Sequence, residues 1–71
     1  MDPKSLVAKN LRRIRLELDI TQEEIAHRAG LSVGYVGSIE RAEAMASIAI
    51  VDQIANGLGI DPGELMRRNT P

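Results

Sequence analysis

Lys4, Lys9, Arg12, Arg13 and Arg15 fall within twelve consecutive residues that contain no acid. Long cations at this density suit a polyanion such as nucleic-acid backbone, where each guanidinium or ammonium neutralises one phosphate. A solubilising helical face is the plain alternative. Arg28 and Arg41 add charge further along, and Arg67 with Arg68 near the end. The acids Glu23, Glu24 and Glu43 lie close by and dilute the field, and the net charge is only −1. Other chemistries are poorly served. The chain has no cysteine and one histidine, His27, so neither a thiolate site nor a zinc site can be assembled. Glu23 and Glu24 are adjacent and point in different directions on a helix, so they form no facing carboxylate pair. With no glycine-rich phosphate loop either, the residues imply no enzyme, metal or cofactor, and no small-molecule ligand.

The elements that must position these side chains are legible from caps and periodicity. Asp2 caps and Pro3 opens a first helix running to about Leu18, with Val7, Leu11, Ile14 and Leu18 as its apolar stripe. Arg12 and Arg13 lie off that stripe. Thr21 with Glu24 forms a capping box, Ile25, Ala26 and Ala29 face inward, and Gly30 ends the second helix in the left-handed region. Ser32 caps a third helix that buries Val36 and Ile39. Ser47 caps a fourth, with Ile48, Val51, Ile54, Ala55 and Leu58 at helical spacing. Asp61-Pro62-Gly63-Glu64 starts a short fifth through Leu65 and Met66, before a frayed tail at about 68–71. Two short helices joined at Gly30 over Thr21–Arg41 have the shape of a DNA-reading helix-turn-helix.

Seventy-one residues make one domain, 1–71. Such a chain buries roughly 60% of its extended surface and gains from a partner. No signal peptide or membrane span is visible, which suits a soluble cytoplasmic protein without a membrane partner.

The segments IRLELDITQEEIAHRAGLSVGYVGSIER and SIAIVDQIANGLGIDPGEL resemble the Cro/repressor-type, Xre-like helix-turn-helix family, and less specifically the controllers of restriction–modification systems. The resemblance covers about Leu6 to Met66. It implies an all-α, compact five-helix, lambda-repressor-like domain that binds double-stranded DNA as a two-fold dimer on a palindromic operator and regulates transcription. By position it places Val33, Gly34, Gly37 and Ser38 at base edges, and makes Arg15 and Glu40 a structural ion pair. It gives Gln22, at the start of the second helix, a phosphate. Arg12, Arg13, Arg28, Ser32 and Arg41 are the further phosphate candidates. Homodimer contacts are expected from Ile50, Leu65 and Met66.

Two departures open a second reading. Ala42-Glu43-Ala44-Met45-Ala46 lacks the family's turn glycine, basic residue and proline, so the third helix extends or its turn is held by packing. Met45 is either a core plug, the preferred reading, or exposed apolar surface. The third helix is also nearly bare of long donors and acceptors. The alternative is a helical protein-interaction module with weakened DNA reading. One positive face built from Arg12, Arg13, Arg28 and Arg41 beside Ser32–Ser38 favours DNA, whereas scattered charge with Met45 and Ile50 exposed favours a protein partner.

Overall fold

Side-chain oxygens set where four helices begin. Asp2 accepts from the Ser5 amide (2.8 Å), Thr21 from Glu24 (3.1 Å), Ser32 from Tyr35 (3.1 Å) and Ser47 from Ile50 (3.2 Å). Each bond satisfies an amide that the first helical turn leaves without a partner. At Asp2 the Ser5 amide, as the leading cause, holds the carboxyl below its ordinary range. The computed structural model describes residues 2–68. Within them lie α1 (Pro3–Glu17), α2 (Gln22–Ala29), α3 (Val33–Glu40), α4 (Ile48–Leu58) and α5 (Gly63–Met66), an all-α domain. The expected fray lies almost wholly outside the described residues.

The helix ends explain how the chain turns back on itself so often. Gly30 and Gly59 close α2 and α4 at φ +70°, a conformation without cost for glycine. Asp19 and Ala42 adopt the same region at φ 56° and 59° after α1 and α3. Ala42 donates to the Ile39 carbonyl (3.0 Å) and Glu43 to that of Ser38 (2.9 Å), the paired bonds of a Schellman turn. The third helix therefore does not extend. Its turn survives with alanine where glycine fits best.

Val7, Leu11 and Ile14 of α1, Ile25, Ala26 and Ala29 of α2, Val36 and Ile39 of α3, the 51–54–55–58 face of α4, and Leu65 form one core. Helix α1 packs on α3 and α5, and α2 packs on α3 and α4. Gly57 lets α4 reach the end of α2, because a methyl group there would stand 2.9 Å from the Arg28 carbonyl carbon. Buried Asn10 donates to the carbonyls of Leu65 (3.0 Å) and Arg67 (2.7 Å), fastening α5 to α1.

Several expectations need correction. Leu65 is fully buried and serves the core of its own chain, so it is unavailable to a second copy. Ile50 is half-buried against that core. Ile48, which shares the helical spacing of the α4 core residues, is 81% exposed, because it is the first residue of the helix and precedes the α4 turn that meets α2. Met45 is 55% exposed and Ala46 takes the core position instead. Leu18 follows the last turn of α1 and lies largely in solvent. Glu24 leaves the reciprocal half of its capping box unmade and pairs with Arg28.

Candidate nucleic-acid interface

Helices α2 and α3 meet through Ile25, Ala26, Val36 and Ile39, which turns the start of α3 outward. Ser32, Val33 and Gly34 are exposed there, Ser38 is partly so, and nothing lies within 4 Å of where a Gly34 side chain would begin. Tyr35 packs against the core from the same helix and is half-buried.

The far end of α3 is anchored. Arg15 Nε donates to Glu40 Oε2 at 2.7 Å and its Nη2 to Oε1 at 3.2 Å, a two-point contact between side chains only 16% and 3% exposed. A further Arg15 nitrogen donates to the Ile20 carbonyl (3.2 Å). Gln22 Nε2 donates to the same Glu40 carboxylate (3.1 Å). One buried carboxylate thus ties α1, the start of α2 and the end of α3 together. Fixing that relation fixes the angle at which α3 leaves the body.

Gly37 does not lie open beside Val33 and Gly34. It is buried, because Arg41 and Gln22 cover it: a methyl group there would meet Arg41 Nη1 at 2.9 Å and Gln22 Oε1 at 3.4 Å. The assignment of Gly37 as an open base-facing position is corrected accordingly. The spacing of four places Arg41 on the same face as Gly37, whereas the closure by Gln22 from α2 has no signal in the sequence.

Among the described residues the cations are engaged separately, with no ion-pair partner in common. Arg13 donates to Glu17 (3.2 Å) and Asn10 Oδ1 (3.4 Å), and its Nε is buried. Arg28 pairs with Glu24 (3.2 Å) along the outer side of α2. Arg41 Nε pairs with Glu43 (3.1 Å). Arg12 is exposed and forms no ion pair among the described residues. Gln22 and Arg41 are brought together over α3. No polar contact joins Arg12, Arg13 or Arg28 to them among the described residues.

Among those residues no cluster of histidine and carboxylates could hold a metal, and no helix is long and apolar enough to cross a membrane. A helix-turn-helix family model, HTH_3, matches residues 11–65. The chain is 36% identical over 66 residues to the uncharacterized HTH-type transcriptional regulator y4dJ of Sinorhizobium fredii, spanning 93% of this chain and 86% of the relative. The fold is similar to a hypothetical transcription factor, NHTF, from Neisseria. That match has a TM-score of 0.90 and 28% identity, and covers 96% of this chain and 78% of that one. It is similar too to the restriction–modification controller protein C.AhdI from Aeromonas hydrophila, with a TM-score of 0.83 and 32% identity over 87% and 94% of the two chains. With the helix-turn-helix matched through α2 and α3 and the buried Arg15–Glu40 pair in place, the chain belongs to the HTH_3, Xre-like helix-turn-helix family of DNA-binding regulators, among the proteins similar to restriction–modification controllers.

Proposed function

We propose that this protein binds a palindromic operator as a homodimer and regulates transcription from it. The observation that carries the reading is the exposed start of α3, held at a set angle by the carboxylate of Glu40. In this reading α3 enters the major groove N-terminus first. Val33 and Ser38 meet base edges there, a thymine methyl suiting the first and a hydrogen-bonding edge the second, while Gly34 permits close approach. Gln22, Ser32 and the exposed Arg12 and Arg28 contact phosphate, which gives affinity without a code. A helix so short of donors leans on DNA shape for part of its specificity.

Homodimerisation fits the apolar surface. Met45, Ile48 and Met66 are exposed around a groove floored by Val7 and Val51. These residues, with the accessible part of Ile50, replace Leu65 as the contact. The same groove suits the alternative, a heterologous protein partner. Self-association is preferred because two-fold pairing also supplies the second reading helix that a palindrome needs. Selection of bound duplexes from a random library tests the reading. Inverted half-sites about one helical turn apart, ~34 Å between centres, are expected. Recovery of a single unrepeated half-site, or of no common sequence, counts against it.

A further inference from the structure

The outward stripe of α3 runs through residues 33, 37 and 41, four apart and therefore on one face. Val33 is exposed at its head, yet Gly37 in the middle is buried, and the cause is Arg41. A residue at the end of a helix has its side chain tilted back toward the N-terminus. Arg41, which caps α3, lays its guanidinium over the turn before it, with Nη1 where a side chain at 37 would start. Glu43 holds Nε from the other side at 3.1 Å, and Gln22 Oε1 closes the notch on its α2 flank. The side chain of Arg41 remains 57% exposed.

From this we infer that Arg41 is a specificity-determining residue that reads a guanine through the notch left by Gly37, and is more than a phosphate contact. Gly37 is the positioning residue. The inference rests on the operator-binding reading. Its chemistry is simple. A guanidinium offers paired donors to the O6 and N7 acceptors of guanine, the match best suited to arginine in the major groove. Nε is occupied by Glu43, which leaves the two Nη nitrogens for the base. The centre of α3 has no long side chain of its own, and the Arg41 guanidinium occupies that place. An arginine serving phosphate alone would need no vacant position at 37. Any larger residue there, even alanine, displaces the guanidinium.

The test is a panel of single-base variants of the selected site, titrated with wild type, Arg41→Ala, Arg41→Lys and Gly37→Ala, with helicity by circular dichroism for each. The inference expects one G·C pair per half-site whose replacement weakens wild type roughly tenfold or more. That discrimination falls to about twofold or less in all three variants, while preferences at other positions persist. Arg41→Lys is the informative case, since it keeps the charge and loses the fork. Gly37→Ala is expected to fold, because alanine favours helix and only a surface side chain must move. A sharp wild-type profile left unchanged by the substitutions, with Arg41→Ala merely weakening every site and lowering the salt slope by about one, overturns this inference alone. A flat wild-type profile overturns the operator reading and this inference with it.

Discussion

Arg15 on α1 grips Glu40 at the last turn of α3 through two hydrogen bonds, the shorter 2.7 Å, in a position nearly closed to water. The pair is the joint through which the body of the domain sets the attitude of α3. Removing one member strands a charge in a poor solvent. Arg15→Ala is expected to destabilise the fold by about 3–5 kcal/mol. Urea unfolding would show it, and a change below about 1 kcal/mol would demote the pair to a surface contact.

Ala42 holds a left-handed conformation, φ 59°, that alanine adopts at a cost and glycine adopts freely. Ala42→Gly is expected to stabilise the protein by about 1 kcal/mol, raising the melting temperature by about 4–8 °C. A lowered melting temperature would contradict the turn geometry.

Gly57 works in the opposite sense. A methyl group there would meet the backbone at Arg28 and Ala29 at 2.9 and 3.0 Å, and helix backbone cannot step aside as a side chain can. Gly57→Ala is expected to cost about 1–3 kcal/mol by prising α4 from α2, despite its better helix propensity. Thermal unfolding unchanged from wild type would show that the crossing is looser than described.

These positions mark what the sequence could and could not disclose. The caps at Asp2, Thr21, Ser32 and Ser47 were readable because each works within one turn of its own helix. The apolar stripes gave most of the core for the same local reason. The exposure of Ile48 was not readable, since periodicity names a face but not where the neighbouring helix stops covering it. Leu65 and Met66 are adjacent and apolar, and only the path of α5 across α1 decides that the first is buried and the second exposed. The Arg15–Glu40 pair, twenty-five residues apart, came from family resemblance alone. The cover over Gly37 joins Arg41, the cap of α3, to Gln22 of α2, and only the spacing of four between 37 and 41 was visible in the sequence.

Glu43 is exposed and holds Arg41 at 3.1 Å, so in the operator-binding reading its charge opposes an approaching phosphate. Glu43→Gln is expected to tighten binding to operator and scrambled duplex alike, by about two- to fivefold, and to steepen the salt dependence. It should also narrow the ratio between the two sites, as Arg41 loses a buttress. Unchanged binding to both duplexes would mean that the Arg41–Glu43 pair lies outside the interface.

Ile48 and Leu65 separate the surface of the domain from its interior. Ile48→Asp is expected to halve the mass seen by sedimentation equilibrium while leaving the helical signal, because the side chain touches only the exposed groove. Leu65→Ala is expected to cost about 2–5 kcal/mol of stability instead. A dimer indifferent to Ile48→Asp would move the interface elsewhere.

Sequence-specific recognition of DNA is the claim on which the rest depends. Its most direct measurement is the ratio of affinities, at physiological salt, for the duplex recovered by selection and for a scramble of equal length and composition. A ratio of at least about a thousandfold is expected, with α3 and Arg41 carrying it. Equal, weak and strongly salt-sensitive binding to both duplexes would contradict it, and would leave the exposed groove of Met45, Ile48 and Met66 as the functional surface.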